Sequence, residues 1–170
     1  MSTPRTAGTA AETATAAVAE AIEKHLTVAT AESLTAGMVA ATLANTPGAS
    51  GMLQGGVVAY QNAVKAGVLG VRQSLLDAVG SVDGDVAAEM AEGARRACSA
   101  DIGISTTGVA GPDAHDGKAV GTVFIGVATK EGSRSFEYAF LGDRQDIREQ
   151  ACTGALARLL AAVRELGYRS

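Results

Sequence analysis

Three short segments of the sequence carry groups that could perform chemistry on a small polar ligand. Glu32 and Ser33 supply a hydroxyl beside a carboxylate, residues 107–111 (TGVAG) supply a flexible run of backbone amides, and residues 142–144 (GDR) supply a guanidinium. A planar guanidinium suits a carboxylate or a phosphate, and clustered backbone amides also favour anions. What such a site lacks is a group that activates the hydroxyl.

Ser33 has two roles that its position leaves open. It follows a β-branched run (TVATAE) and precedes a stretch of small residues, which is where a helix-capping serine is expected. A nucleophilic serine needs a neighbouring base, because its hydroxyl is a poor nucleophile until its proton is removed. On spacing alone, the helix cap is favoured.

Histidine and lysine are the candidates for that base. His25 ends a predicted helix, and His115 lies in a polar loop between Asp113 and Asp116, a spacing that matches no standard zinc site. We therefore predict no metal. Lys65 follows a predicted strand, and a lysine partly desolvated beside a sheet can lose its proton and act as a base. The competing interpretation is an exposed lysine on a turn, which composition alone favours.

Alternating helices and strands must position these groups. Hydrophobic patterning predicts helices over about 12–25, 33–44, 72–80, 82–100 and 143–167, a helix or turn over 62–67, strands over 26–31, 51–61 and 101–112, and a hairpin around 131–132. Asp83 and Asp143 are the predicted caps of the last two helices, and Asn62 is the predicted cap of the 62–67 segment. This order favours a three-layer α/β/α sandwich with a mixed, mostly parallel sheet.

Composition narrows the class of protein. A chain of 170 residues is the size of one domain, and we assign residues 1–11 to a flexible N-terminal tail and residues 12–170 to a single domain. Only 4% of the residues are aromatic, so small aliphatic residues and glycine must fill the core and bring backbones close together. A net charge of −4 gives no basic surface for nucleic acid.

The sequence also argues against a membrane protein. The longest weakly polar run contains Glu32, which would place a carboxylate near the middle of a bilayer, and the first residues lack the apolar stretch of a signal peptide. The two cysteines are too few for a disulfide framework and lack the CxxC spacing of a zinc site. We expect a cytoplasmic protein.

Taken together, six segments resemble the CinA C-terminal domain family of nicotinamide mononucleotide deamidases. They occur in one order between about Glu12 and Leu166: TVATAESLTAG, GGVVAYQNAVKAGVLGV, VAAEMAEGARRA, TTGVAGP, VGTVFIGVAT and LGDR. The resemblance implies an amidohydrolase that converts nicotinamide mononucleotide and water to nicotinic acid mononucleotide and ammonia in pyridine nucleotide salvage. It also implies a homodimer that needs no metal or cofactor.

The resemblance further implies roles for individual residues. Ser33 matches the nucleophile, Lys65 the base, and Tyr60 the neighbour of that base. Backbone amides at the start of the helix after Ser33 would hold the developing oxyanion, and the TGVAGP segment and Arg144 would anchor the ribose phosphate. The expected substrate-binding residues are Glu32, Thr35, Asn62, Thr107, Gly108, Gly111 and Arg144.

Two departures from the family pattern leave a second function open. ESLTAG stands where the family has ESCTGG. Either Leu34 and Ala36 crowd the turn beside Ser33, or Leu34 packs inward. Asp113 and Asp116 stand where the family often has glycines. The alternatives are therefore a nucleotide-binding or regulatory member of the family that does not hydrolyse its ligand, and a purely structural dimer module. The chain also lacks the N-terminal domain of many members, so a standalone domain is expected.

Overall fold

Helices and strands alternate along most of the chain in a computed structural model that describes residues 8–168. The elements are α1 (Ala10–Glu23), β1 (Val28–Glu32), α2 (Met38–Ala44), β2 (Leu53–Val58), α3 (Asn62–Gly67), α4 (Gln73–Val79), α5 (Gly84–Ala97), β3 (Ile102–Gly108), β4 (Thr122–Thr129), β5 (Gly132–Ala139) and α6 (Arg144–Glu165), with a 3-10 turn at Ala49–Gly51. No helix within residues 8–168 is long and apolar enough to cross a membrane.

The first helix begins at Ala10, earlier than the sequence predicts. The Thr9 hydroxyl accepts a hydrogen bond from the amide of Glu12, whose carboxylate accepts one from the amide of Thr9. This reciprocal pair satisfies two amides that a helix start otherwise leaves unpaired. The helix therefore includes the last two residues assigned to the N-terminal tail, and residues 1–7 of that tail lie outside the described residues.

The sheet has five strands in the order β2-β1-β3-β4-β5. β1 pairs in parallel with both β2 and β3, whereas β4 runs antiparallel to both β3 and β5. Four strands thus share one direction and only β4 is reversed, which confirms the predicted mixed, mostly parallel sheet. The predicted β4–β5 hairpin is present and turns at the exposed residues Lys130 and Glu131, one residue before the predicted position.

Helices cover both faces of the sheet. Val28, Ile104 and Ile125 point into a core shared with α1, α2 and α6. The neighbouring β1 residues Ala29 and Ala31 point the other way, into a core shared with α3, α4 and α5, because side chains alternate along a strand. The predicted three-layer α/β/α architecture is confirmed.

Small residues let α5 approach its neighbours closely. A side chain at Gly93 would overlap the backbone carbonyl of Leu69, and one at Gly103 would overlap the carbonyl of Ala91. Gly93 lowers the helix propensity of α5, yet any larger residue would push the Leu69 backbone away. The expected close contact of backbones is therefore present.

The predicted caps of the two long helices are confirmed. The Asp83 carboxylate accepts a hydrogen bond from the amide of Asp85 at the start of α5. Asp143 and Asp146 form a reciprocal capping pair at the start of α6. The prediction that Asn62 caps α3 is wrong, because Asn62 is already the first helical residue and the preceding residue makes no side-chain bond.

Candidate functional site

A cavity of about 510 Å³ lies at the sheet edge where β1, β2 and β3 end. These strands are parallel, so their carboxyl ends meet at one edge, which is where ligands bind in open α/β sheets. The lining residues are Ser33, Leu34, residues 60–62, Ser81, residues 107–116 and Arg144.

Ser33 and Lys65 meet beside this cavity. Lys65 is only 1% exposed, and its Nζ lies 3.1 Å from Ser33 Oγ, 2.8 Å from the carbonyl oxygen of Ala59 and 3.3 Å from that of Tyr60. Burial lowers the pKa of Lys65 from its ordinary 10.5 to about 8, although the charge of Asp116 opposes this shift. The neutral amine can accept the Ser33 proton, so the structure brings together the pair that could activate the hydroxyl.

The segment after Ser33 is a turn, not a helix. The amide of Ser33 donates to the carbonyl oxygen of Thr106 at 3.0 Å, which fixes the end of β1 beside β3. Ala36 has a φ of 46° and Gly37 a φ of 101°, and two left-handed residues in succession delay the helix until Met38. The prediction that Ser33 caps a helix is therefore wrong.

Glu32 takes over the capping of α2 from a buried position. Its carboxylate accepts hydrogen bonds from the amides of Val39 at 2.8 Å and Ala40 at 3.1 Å, and from Thr35 Oγ1 at 2.7 Å. The Thr35 hydroxyl also contacts Thr106 Oγ1. Glu32 and Thr35 thus lie behind the turn and do not line the cavity. The helix-start amides that were expected to hold an oxyanion are already bound to Glu32.

Arg144 joins two walls of the cavity. Its guanidinium donates to the carbonyl oxygen of Gly111 at 2.6 Å and to the hydroxyl of Tyr60 at 2.8 Å. The Tyr60 hydroxyl therefore lies with Arg144, and only the Tyr60 carbonyl reaches Lys65. All of these residues except Lys65 line the cavity, so Tyr60 is placed to contact a ligand.

A hydrogen-bonded chain fixes the opposite wall. Thr107 Oγ1 donates to the carbonyl oxygen of Ser81 at 2.6 Å, and the amide and hydroxyl of Ser81 both donate to Asp116 Oδ2, at 2.9 and 3.0 Å. These bonds from Ser81 hold the pKa of Asp116 below its ordinary value. The other expected binding residues, Asn62 and Gly108, also line the cavity, and Asn62 is exposed.

Two residues that support the site were not found by sequence reasoning. Arg148 Nε donates to the carbonyl oxygen of Leu34 at 2.7 Å, and its Nη2 donates to that of Thr35 at 3.4 Å, so α6 also holds the turn that carries Ser33. Arg148 follows Arg144 by four residues on one helix face, a spacing that could have revealed it. Ser81 gives no such signal. Leu34 is only 3% exposed and packs into the core, which settles how the turn accommodates it.

Across residues 8–168, no three or more His, Cys, Asp or Glu side chains are grouped so that they could hold an ion. His115 Nε2 lies 3.3 Å from Asp116 Oδ2.

Comparisons of sequence identify relatives of this chain. The family model described as the CinA C-terminal domain matches residues 10–163. A Bacillus pumilus protein named "Putative competence-damage inducible protein" is 49% identical over 139 residues, which cover 82% of this chain and 33% of the relative. A Frankia casuarinae "CinA-like protein" is 43% identical over 145 residues, covering 84% and 34%. The chain thus spans about a third of the length of these curated relatives.

Comparisons of structure agree with those of sequence. The crystal structure of a competence-damaged protein (CinA) superfamily protein from Klebsiella pneumoniae has a TM-score of 0.89 and 29% identity, covering 94% of this chain and 100% of that one. A competence or damage-inducible protein from Enterobacter asburiae has a TM-score of 0.88 and 32% identity, covering 92% and 99%. Both share the three-layer fold with this chain.

Proposed function

This chain belongs to the CinA C-terminal domain family, and from that premise we propose that it hydrolyses the carboxamide of nicotinamide mononucleotide, giving nicotinic acid mononucleotide and ammonia. The observation that carries the proposal is the 3.1 Å contact between Ser33 Oγ and Lys65 Nζ. A buried amine whose pKa is lowered to about 8 is suited to remove the proton of a neighbouring hydroxyl near neutral pH.

The dyad accounts for both halves of an amide hydrolysis. Neutral Lys65 takes the proton of Ser33 as Oγ bonds to the carboxamide carbon, and the resulting ammonium returns a proton to the nitrogen as the C–N bond breaks and ammonia leaves. Water then attacks the ester on Ser33, again giving a proton to Lys65. The C–O bond to Ser33 breaks as Lys65 returns that proton to Ser33 Oγ, and the acid product is released with the dyad restored.

The negative charge on the carbonyl oxygen needs a donor other than the start of α2. Leu34 directly follows Ser33 and contributes to the cavity wall. Its backbone amide donates to no acceptor within residues 8–168, whereas the amides of Val39 and Ala40 are bound to Glu32. We therefore assign the oxyanion to the Leu34 amide, because a fixed donor beside the nucleophile stabilises the transition state.

Arg144 is the proposed anchor of the phosphate. A guanidinium has five N–H donors, and the bonds to Gly111 and Tyr60 use only two of them. The remaining donors suit a phosphate, which a guanidinium can bind through two parallel hydrogen bonds. Thr107 is a weaker candidate for direct contact, since its hydroxyl already donates to Ser81.

Ammonia release and ligand binding, measured on the same protein, test the proposal. The wild type should release ammonia from nicotinamide mononucleotide, and Ser33→Ala should lose about 1000-fold or more in kcat while still binding the ligand in calorimetry. Ser74→Ala, an exposed serine on α4, is the matched control and should keep full activity. Binding without ammonia release by the wild type would instead identify a nucleotide-binding member that does not hydrolyse, and no binding at all would refute both functions.

A further inference from the structure

One anionic side chain has a fixed place in the wall of this cavity. Asp116 accepts two hydrogen bonds from Ser81, through its amide and its hydroxyl, and both reach the same oxygen, Oδ2. These bonds favour the ionised carboxylate and hold the pKa of Asp116 below its ordinary value. The cavity therefore carries a persistent negative charge at a defined point.

That charge lines the same cavity as the nucleophile. Ser33 is bonded through its amide to Thr106, and Ser81 is bonded through its carbonyl to Thr107, so consecutive residues of β3 hold the nucleophile and the support of Asp116. The Asp116 carboxylate is also near enough to Lys65 for each group to shift the other's pKa. A ring whose carboxamide reaches Ser33 Oγ enters the same cavity whose wall carries Asp116.

We infer that Asp116 makes the site selective for carboxamides carried on a cationic ring, a class that includes the pyridinium ring of nicotinamide mononucleotide. The inference rests on the proposed function and names the feature of the substrate that the site reads. The cavity wall offers a fixed anion at Asp116 and a cation at Arg144, and the substrate offers the opposite pair, a cationic ring and an anionic phosphate. One such charge pair at a partly exposed site corresponds to about a tenfold change in kcat/KM.

The comparison of a charged and a neutral ring tests the inference. Nicotinamide mononucleotide and its 1,4-dihydro form share the carboxamide, ribose and phosphate, but only the former carries a ring charge. We expect Asp116→Asn to lower kcat/KM about tenfold for the pyridinium substrate and little for the dihydro substrate. The ratio between substrates cancels their different intrinsic reactivity, and it also cancels any change in the basicity of Lys65.

The variants are chosen to separate charge from folding. Asparagine can still accept both hydrogen bonds from Ser81, so Asp116→Asn removes the charge and keeps the contacts. Glu131→Gln removes one negative charge in the β4–β5 hairpin, at the other edge of the sheet, and should leave the ratio unchanged. His115 lies 3.3 Å from the same carboxylate oxygen, so the wild type and all variants are compared at one fixed pH.

A binding measurement keeps the inference distinguishable from the proposed function. In a Ser33→Ala background, calorimetry should show that Asp116→Asn weakens binding of the pyridinium ligand about tenfold and of the dihydro ligand little. If the wild type hydrolyses neither substrate, the proposed function fails and this binding ratio alone decides the inference. An unchanged ratio in both measurements, or equal weakening of both ligands, overturns the selectivity of Asp116.

Discussion

The pH dependence of hydrolysis measures whether the buried amine is the base. Burial lowers the pKa of Lys65 from 10.5 to about 8, and only the neutral amine can accept the Ser33 proton. About one molecule in eleven then has a competent base at pH 7, half at pH 8, and about ten in eleven at pH 9. We therefore expect kcat/KM to rise about tenfold from pH 7 to pH 9 and then level off. A solvated lysine of ordinary pKa would give a rise of about a hundredfold over the same interval.

The lowered pKa of Lys65 also makes the free energy of unfolding depend on pH. The pKa of Lys65 is lower in the folded protein than in the unfolded chain, so the folded state disfavours the charged amine. Its contribution to the free energy of unfolding is least favourable below about pH 8 and improves as pH rises toward 10.5, by about 3 kcal/mol in total. Unfolding in urea at several pH values, compared with Lys65→Met, isolates this contribution from that of other groups.

The pH dependence of hydrolysis is measured from initial rates of ammonia release between pH 6 and pH 10. Lys65→Arg keeps a cation but stays protonated over this range, so it should lose about 100-fold or more in kcat with no recovery at alkaline pH. A flat profile in the wild type would refute the role of Lys65. A rise of a hundredfold between pH 7 and pH 9 would refute its burial, as would an arginine variant that retained the wild-type profile.

Three further predictions concern the turn after Ser33 and the packing of α5. Ala36→Gly should raise the free energy of unfolding by about 1 kcal/mol, because glycine tolerates the φ of 46° at this position. In a thermal melt this corresponds to a rise in Tm of about 2 to 4 °C. An unchanged Tm would count against backbone strain at Ala36. Gly93→Ala should lower the free energy of unfolding, measured in urea, by about 1 to 3 kcal/mol, because the added methyl group overlaps the Leu69 carbonyl. Gly67 has open space around it, so Gly67→Ala is the control and should cause no such loss. Equal effects of the two substitutions would contradict the packing argument. Arg148→Ala should lower kcat about tenfold or more with little change in KM, because the turn that carries Ser33 loses two hydrogen bonds. Arg148→Lys should restore part of the lost kcat. A wild-type kcat in the alanine variant would exclude this positioning role.

Local chemistry made much of the fold predictable. A short carboxylate before a helix bonds to amides two or three residues away, so Asp83 and Asp143 could be assigned as caps from neighbouring residues alone. The order in which helices and strands alternate along the chain likewise predicted the layered architecture. The contact between Ser33 and Lys65, however, joins residues 32 positions apart, and only the resemblance to a family made it an expectation.

The supports of the site were not predictable because they depend on contacts that no local pattern records. Alanine favours a helix, so its presence at position 36 does not indicate a left-handed backbone. That left-handed conformation extends the turn after Ser33 and moves the start of α2 to Met38. Glu32 reaches amides seven and eight residues ahead, a distance outside any capping motif. Ser81 and Asp116 meet across 35 positions, which requires the fold to be known first.

The reversed direction of β4 gives this protein two functionally separate ends. β4 finishes where β1, β2 and β3 begin, so its hairpin with β5 lies at the sheet edge away from the cavity. Lys130 and Glu131 are exposed at the tip of that hairpin. A fluorophore, an immobilisation tag or an inserted peptide attached there would extend into solvent without crossing the cavity mouth. The tip of the β4–β5 hairpin is therefore a suitable attachment point for assays in which the protein is tethered and its cavity must stay accessible.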